Sequence, residues 1–424
     1  MENIFPKNFL WGASTSPHQV EGNNTHNDWW QWEISGRTEP SGSACDHYNK
    51  FREDFALAKQ LGHNTHRLGL EWSRLEKENG IWDQNEWEHY KLVIGELLSL
   101  GIEPIVTLNH FTVPSWFSDI DGWTNTSSIE LFTRFAVKSI ETLGDKVRFW
   151  IPFNEPNILA ILAYFYGQWP PAKKNFDEAL IVLRNMLKSH ALSYVKMHEY
   201  AKKVPSIKPP KIGIAKAVTA FHPCSYFSLH DRSAVYQRSR FHNHAFIRSA
   251  INGRVLIPGL PKERLYTKNA IDFIGLNYYF RQFIKNEEPL FKRSFGEVCS
   301  LSHHPEAGPV TDMGWEIYPK GLYETIKAMS RYGKPIIITE NGLATKNDSL
   351  RQDYIRHHLG ELLTAIRHGF PVIGYLHWSL LDNFEWAEGY SKRFGLIEVD
   401  YASQKRSIRP SAKYYASVIR TGQV

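Results

Sequence analysis

The sequence of 424 residues lacks the segments that mark membrane and secreted proteins. No apolar run approaches the length of a membrane-spanning helix, and residues 1–6 contain neither the basic nor the apolar part of a secretory signal. No short-period repeat, low-complexity block or Gly/Ser linker interrupts the chain. These absences predict a cytoplasmic protein without a membrane partner.

Cysteine is also scarce, and its spacing is not that of a metal site or a disulfide framework. The cysteines are odd in number, far apart and free of any Cys-X-X-Cys motif: Cys45, Cys224 and Cys299. Some histidines have no carboxylate at ligand spacing and are interpreted as surface or loop residues: His242, His244, His303 and His304. The sequence therefore predicts no disulfide framework, no metal and no cofactor.

Charge is mild, whereas aromatic residues are abundant. The net charge is +6, and the basic runs at 202–203 and 405–406 are too short for a nucleic-acid surface, so no nucleic-acid partner is expected. Aromatic residues make up 14% of the chain and include 14 tryptophans. A core absorbs many of them, and the surplus indicates a cleft lined with rings, which suit the apolar faces of sugars.

Strand and helix patterns alternate eight times along the chain. The predicted strands are 9–15, 65–72, 102–109, 147–154, 211–218, 270–279, 335–340 and 372–379. The predicted helices are 52–61, 85–100, 127–143, one within 176–202, 231–251, 319–331, 350–368 and 409–420. Such crossovers favour parallel strands, and eight units predict a (β/α)8 TIM barrel as a single domain over residues 1–424. The alternative, a doubly wound open sheet, calls for a glycine-rich turn that residues 12–15 do not provide.

Two glutamates end apolar strands in the same way. Glu340 follows three isoleucines and precedes an Asn-Gly turn, and Glu155 follows the apolar strand 147–154. Pro156 disfavours a helical conformation at Glu155, so an extended backbone is expected there. Only a closed fold brings residues so distant in sequence together, and a pair of carboxylates is what cleavage of a glycosidic bond needs.

Other predicted strand ends carry amide, aromatic or cationic groups, a combination that suits a sugar pocket. They are Gln19, Arg67, His110, Asn154, Asn277, Tyr279 and Trp378. Taken singly, several of these residues can be explained by a purely structural role. Arg67 could be a buried ion-pair partner, His110 a core histidine and Tyr279 a cap on the barrel interior. The tryptophans could be core residues.

Several motifs follow one another in an order that resembles glycoside hydrolase family 1, the β-glucosidase family. They are Phe9 to Ala13, Gln19 to Gly22, His66-Arg67, Glu71 to Arg74, Thr107 to Phe111, Asn154 to Pro156, Thr339 to Gly342 and Trp378 to Tyr390. The set extends from the first predicted turn almost to the end of the chain. Gly69 departs from the resemblance, since the family more often has Ser there.

The resemblance implies a retaining β-glycosidase and assigns roles to these residues. Glu155 would be the general acid/base and Glu340 the nucleophile, with Arg67 and Tyr279 stabilising the charge of Glu340. Asn154 would contact the sugar 2-hydroxyl. The other implied substrate-binding residues are Gln19, His110, Asn277, Trp378, Glu385 and Trp386. The resemblance also implies a cis peptide between Trp378 and Ser379.

Glu385 bears on the substrate class. A carboxylate at this position disfavours a 6-phosphate and favours free hydroxyls, so unphosphorylated β-glucosides or oligosaccharides are expected, with β-galactosides and β-fucosides next. The alternatives are a 6-phospho-β-glycosidase and a sugar-binding protein on an inactive scaffold. Loops 116–123 and 164–169 are expected to line the aglycone side.

Overall fold

Eight parallel strands pair side by side and close into a barrel in the computed structural model, which describes residues 4–289 and 294–424. The strands of the chain are β1 (Leu10–Ser14), β2 (Thr65–Gly69), β3 (Glu103–Asn109), β4 (Phe149–Phe153), β5 (Lys211–Pro223), β6 (Phe273–Lys285), β7 (Glu297–Val298), β8 (Ile336–Glu340), β9 (Val372–Trp378), β10 (Ile397–Asp400) and β11 (Lys405–Ile408). The barrel consists of β1 to β6, β8 and β9, and it closes where β9 pairs with β1. The predicted (β/α)8 barrel is confirmed, and the open-sheet alternative is wrong.

Helices follow the strands and cover the outside of the barrel. The α-helices are Pro17–Val20, Asp28–Ile34, His47–Gln60, Trp72–Leu75, Gln84–Ser99, Ser115–Ser118, Ser128–Leu143, Pro156–Leu159, Phe176–Lys203, Leu229–Ser239, Ala245–Asn252, Lys320–Ser330, Asp348–Arg367 and Pro410–Thr421. Short 3-10 helices are Gly122–Thr124, Leu301–His303 and Trp386–Glu388, and π-helical segments are Ala160–Phe165 and Arg240–His244. The helix predicted over 231–251 is thus two α-helices joined by a π segment. Within the described ranges, none of the helices combines the length and apolarity that a membrane span requires.

Apolar side chains form two layers, one inside the barrel and one between barrel and helices. The inner layer consists of Ile105, Ile151, Ala215, Phe273, Ile337 and Leu376. In the outer layer, the helix Gln84–Ser99 buries one face, formed by Trp87, Tyr90, Val93, Ile94 and Leu97. Each such large side chain contributes roughly 1.5–3 kcal/mol on burial. The inner layer fills the lower barrel, so polar side chains at the upper strand ends face a cavity and not packed core.

Two barrel strands extend beyond the rim. β5 and β6 continue past their predicted ends at 218 and 279, and they stay paired through Phe221 with Gln282 and Pro223 with Ile284. β7 adds to this extension as a short antiparallel strand opposite Ile284. The extension raises one wall of the molecule above the barrel mouth.

The extension corrects the interpretation of cysteine and histidine. The structure joins Cys224, which follows β5, to Cys299, which follows β7, as a disulfide. The prediction of no disulfide is therefore wrong for this pair, because a 75-residue separation in sequence is closed by strand pairing. The interpretation of His304 is also wrong, since it is buried and contacts the Glu306 carboxylate. His244, likewise read as a surface residue, is buried beside Tyr332.

Candidate active site

A cavity of about 1000 Å³ opens at the carboxyl ends of the barrel strands. Most of the predicted site residues line it: His110, Asn154, Glu155, Asn277, Tyr279, Glu340, Trp378, Glu385 and Trp386. Arg67 and Gln19 lie behind this lining, and both are fully buried. The strand ends thus bring together groups that are scattered over most of the sequence.

Glu340 is held by a cation and a hydroxyl. Arg67 donates from Nη1 to Oε1 of Glu340 at 2.5 Å, and the Tyr279 hydroxyl donates to Oε2 at 2.7 Å. Arg67 is itself fixed, because its Nε donates to Oγ1 of Thr107 at 2.9 Å. Both carboxylate oxygens of Glu340 therefore accept a hydrogen bond that favours the ionised form.

Glu155 has a different setting. Its Oε1 accepts a hydrogen bond of 2.8 Å from Nδ2 of Asn277, a neutral amide. Its backbone is left-handed, with φ 45° and ψ 55°, and its N–H donates to the Ala215 carbonyl at 2.7 Å. The expected extended conformation is therefore wrong. Pro156 does keep Glu155 out of the right-handed helical region, but the chain turns here from β4 directly into a helix.

Two asparagines connect the surroundings of the glutamates. The Oδ1 of Asn154 accepts from Nη2 of Arg67 at 2.7 Å and from Nδ2 of Asn277 at 3.1 Å. Asn277 is oriented in turn by the Thr339 hydroxyl, which donates to its Oδ1 at 2.6 Å. The amide nitrogen of Asn154 lies 3.2 Å from Nε2 of His110. A continuous hydrogen-bond network thus links Glu340 to Glu155 through their partners.

The glutamates affect each other's protonation. Burial and the charge of Glu340 raise the pKa of Glu155 to about 8. Burial also raises the pKa of Glu340, but Arg67 and Tyr279 oppose that rise. Because like charges in one buried site resist joint ionisation, the proton is best placed on Glu155 and the negative charge on Glu340.

A family model described as Glycosyl hydrolase family 1 matches residues 1–424. Beta-glucosidase A of Thermotoga maritima is 34% identical over 98% of this chain and 98% of its own length. The beta-galactosidase of Pyrococcus woesei is 31% identical over 95% of this chain and 94% of its own. The chain belongs to glycosyl hydrolase family 1. Among solved structures, the beta-glycosidase from Pyrococcus horikoshii aligns with a TM-score of 0.91 at 37% identity, covering 100% of this chain and 96% of that one.

Family membership decides the class of reaction. Hydrolases of family 1 are retaining β-glycosidases, and this chain is one of them. A retaining hydrolase uses one carboxylate as nucleophile and a second carboxyl group as acid and then base. The cavity of this family 1 hydrolase contains the carboxyl groups of Glu155 and Glu340, which one hydrogen-bond network connects.

Glu385 forms a third carboxyl group in the cavity of the hydrolase. Burial and the charge of Glu340 raise the pKa of Glu385 to about 8. Gln19 lies behind it and donates from Nε2 to Oε2 of Glu385 at 3.3 Å and to the Phe384 carbonyl at 2.8 Å. Gln19 therefore supports the loop that carries Glu385, and its direct contact with substrate stays a prediction.

Aromatic rings form one side of the cavity. His110 stacks on Trp378 with centroids 5.7 Å apart and on Trp386 at 6.2 Å, with interplanar angles of 16° and 14°. Burial and the charge of Arg67 lower the pKa of His110 well below its usual value, so its ring is neutral. The peptide between Trp378 and Ser379 is cis, as the resemblance implied.

The outer part of the cavity is strongly aromatic. Its lining includes Phe165, Tyr166, Trp169, Phe176, Phe241, Phe295 and Trp315. The predicted contribution of 164–169 is thus confirmed for several residues. The prediction for 116–123 is wrong, because Phe117 and Trp123 are buried against each other and Trp116 packs on Trp72.

Sequence reasoning missed a buried lysine next to Glu155. Lys216 lies on β5 and donates from Nζ to the Ala217 carbonyl at 2.6 Å. Burial lowers the pKa of Lys216 to about 7, and the charge of Glu155 opposes that shift. The sequence of β5 does not show whether the side chain of Lys216 points into the barrel or away from it. The available signal was that this lysine interrupts an otherwise apolar strand.

Proposed function

We propose that Glu340 is the nucleophile and Glu155 the acid/base of a β-glycosidase acting on unphosphorylated β-glucosides. The observation that carries the proposal is the contrast between their partners. Arg67 and Tyr279 favour a charged Glu340, whereas the amide of Asn277 leaves Glu155 free to keep its proton. Arg67 and Tyr279 act by holding the carboxylate of Glu340 in position and by favouring its ionised form.

The reaction runs in two displacements. Glu340 attacks the anomeric carbon while Glu155 protonates the departing glycosidic oxygen, so a glycosyl ester forms on Glu340. Glu155 is then ionised, and it stays ionised because esterification removes the negative charge of Glu340 and lowers the pKa of Glu155. As a carboxylate it takes a proton from water. That water attacks the anomeric carbon and frees Glu340. Asn154, oriented by Arg67 and Asn277, donates to the 2-hydroxyl in this proposal.

The polar end of the cavity supports an unphosphorylated glucoside. Glu385 offers oxygen atoms to sugar hydroxyls and, in either protonation state, no positive charge to a phosphate. Among the described lining residues no lysine occurs, and the single arginine, Arg238, donates to the carbonyls of Phe295 and Gly296. Trp378, Trp386 and His110 supply the ring faces and donors for the same sugar. Relatives named beta-glucosidase and beta-galactosidase support glucosides first and galactosides next.

The aromatic outer cavity supports an apolar or extended aglycone. Phe165, Tyr166, Phe176 and Phe295 each expose more than a third of their surface there. Rings exposed along a cleft bind apolar ligand faces and sugar faces alike. Aryl glucosides and short β-linked glucose oligomers both suit this surface.

The test is hydrolysis of an aryl β-D-glucoside by Glu340→Gln and Glu155→Gln. In Glu340→Gln, loss of the nucleophile should lower kcat by at least about 10⁴-fold. Added azide should not restore formation of a product with retained anomeric configuration. Loss of the acid should slow turnover, and azide should restore it as the β-glycosyl azide, because an activated leaving group needs no proton and azide needs no base.

Glu71→Gln is the matched control. Glu71 is a buried glutamate of the same barrel that bonds to Ser73 and Thr112 and lies outside the cavity lining. This variant should hydrolyse the glucoside at close to the wild-type rate. Wild-type rates in both Glu340→Gln and Glu155→Gln would refute the assignment.

A further inference from the structure

A cluster of metal-ligating side chains lies outside the cavity, on the extension of β5 and β6. Cys224, Cys299 and His304 each bring one ligand atom there, and these atoms lie within 4.8 Å of one another. Cys224 follows β5 and Cys299 follows β7, and their backbone N–H groups donate to the carbonyls of Ile284 and Phe283 on β6. The two cysteines are therefore held by paired strands, and His304 directly follows the 3-10 helix Leu301–His303.

Each sulfur has a histidine beside it. Cys224 Sγ lies 3.4 Å from Nε2 of His304, and Cys299 Sγ lies 3.6 Å from Nδ1 of His303. Around a tetrahedral zinc ion, with Zn–S near 2.3 Å and Zn–N near 2.0 Å, a sulfur and a nitrogen ligand are roughly 3.5 Å apart. Both pairs match this separation, and a disulfide alone requires no histidine at either sulfur.

His304 has the outer partner that metal-binding histidines usually have. Its Nδ1 lies 3.1 Å from Oε1 of Glu306, so that nitrogen donates to the carboxylate and Nε2 is left with its lone pair toward the sulfurs. The His304 ring is buried and stacks on the ring of Phe283, with ring centroids 3.5 Å apart and an interplanar angle of 5°. A fixed tautomer and a fixed ring plane are what a ligand to a metal needs.

Charge near the cluster is compatible with a cation. Two thiolates neutralise a divalent ion, and Glu306 adds a negative charge behind His304. Arg281 also packs on Phe283, at 4.3 Å from its ring centre, but its Nε and Nη2 donate to the buried Glu316 carboxylate, which balances its charge. No unbalanced positive charge therefore faces the site among the described residues that contact Phe283 or His304.

We propose that the reduced protein binds one Zn²⁺ ion through Cys224, Cys299 and His304. His303 lies beside Cys299 but outside the group of three, and its side chain turns toward the other ligands to take the fourth position. The disulfide is the oxidised form of the same site. Its reduction consumes two electrons and two protons, supplied by a phosphine or dithiol reductant, and gives two thiols. Zinc binding then releases both thiol protons, and the sulfurs move apart to roughly 3.8 Å, the S–S separation of a tetrahedral site.

The proposed ion is structural and distinct from the glycosidase chemistry. Four protein ligands leave no open position for substrate. Val298 precedes Cys299 and lines the outer cavity, as does Gly296. The ion would therefore tie the cavity wall formed by β7 to the ends of β5 and β6.

The experiment uses the full chain, reduced with a phosphine, freed of metal with a chelator and titrated with Zn²⁺. Elemental analysis should find one zinc per wild-type chain, and two fewer thiols should react with Ellman's reagent when zinc is bound. Co²⁺ should give the visible bands of a tetrahedral site with thiolate charge transfer. Cys224→Ser, Cys299→Ser and His304→Ala should each weaken zinc binding at least about tenfold, and His303→Ala should weaken it less, since water can take its place.

Cys45→Ser is the matched control, because Cys45 is a buried free cysteine whose Sγ donates to the Asp382 carbonyl, in the segment after β9. It should retain full zinc stoichiometry. Absence of zinc from the reduced wild type, an octahedral cobalt spectrum, or equal zinc in Cys224→Ser and wild type would each overturn the proposal. The wild-type cobalt spectrum decides the matter even where a variant fails to fold. None of these readouts depends on glycosidase activity.

Discussion

Glu155 and Glu340 end two strands of the same barrel and line the same cavity, yet their surroundings differ in charge and in backbone. Glu340 closes a regular strand and receives hydrogen bonds from Arg67 and Tyr279. Glu155 sits in a left-handed turn and receives one from the amide of Asn277. One residue type thus acquires two protonation states from its neighbours alone.

The two glutamates are also positioned by different means. The side chain of Glu340 is clamped at both oxygens, so its position depends on its partners. Glu155 depends on the backbone, because a left-handed residue with a side chain costs roughly 1–2 kcal/mol and is kept by the turn from β4 into the helix at Pro156. Removing a partner should therefore disturb the nucleophile more than the acid.

Arg67→Met tests the clamp and should have the largest effect. It leaves Glu340 buried without its cation, a change that costs about 3–5 kcal/mol, so kcat should fall about 10²–10⁴-fold. The acidic limb of the pH profile should move to higher pH, because the pKa of Glu340 rises when Arg67 no longer opposes burial. Steady-state kinetics with an aryl β-D-glucoside between pH 4 and 9 measure both effects.

Arg281→Met controls for the loss of a buried arginine. Arg281 pairs with Glu316 inside the fold and does not line the cavity. It should lower the melting temperature and leave the pH profile in place. An unchanged acidic limb in Arg67→Met would show that Arg67 is only a structural ion-pair partner, one of the alternatives that the sequence left open.

Tyr279→Phe removes the second arm of the clamp and should have an intermediate effect. A hydrogen bond to a charged group contributes about 1.5–3 kcal/mol, so kcat/KM should fall about 10–100-fold, with a smaller rise of the acidic limb. Tyr278→Phe is the adjacent control, because the Tyr278 hydroxyl donates to the Tyr318 carbonyl and touches neither glutamate. Equal losses in the two variants would mean that the Tyr279 hydroxyl does not support Glu340.

The barrel was predictable because its signals are local and repeated. Apolar strands and amphipathic helices alternate with glycine stops, and boundaries differ from the structure by a few residues at most positions. The site was predictable in part because the ends of parallel strands meet at one rim, so residues such as Asn154 and Glu340 share a cavity wherever they lie in sequence.

What the sequence did not reveal depends on contacts between distant segments. The continuation of β5 and β6 past the rim relies on their mutual pairing, since residues such as His222 and Gln282 carry no strand pattern of their own. The contact of Cys224 with Cys299 depends on that same pairing. At Glu155, Pro156 excludes a right-handed helix but leaves the extended and left-handed regions open, and the turn after β4 selects the latter.

Lys216→Met addresses the acid and should have the smallest effect. Burial and Glu340 raise the pKa of Glu155 to about 8, and the positive charge of Lys216 opposes part of that rise. Because the acid must be protonated, activity falls as pH rises through this pKa. Lys216, whose own pKa is lowered to about 7, has lost most of its charge there, so its removal should move the alkaline limb of kcat/KM upward by less than about half a unit. Lys216→Arg places a permanent cation there and should move the limb to lower pH. An unmoved limb in Lys216→Arg would show that a charge at this position does not reach Glu155, and the acid would then owe its protonation to burial and Glu340 alone.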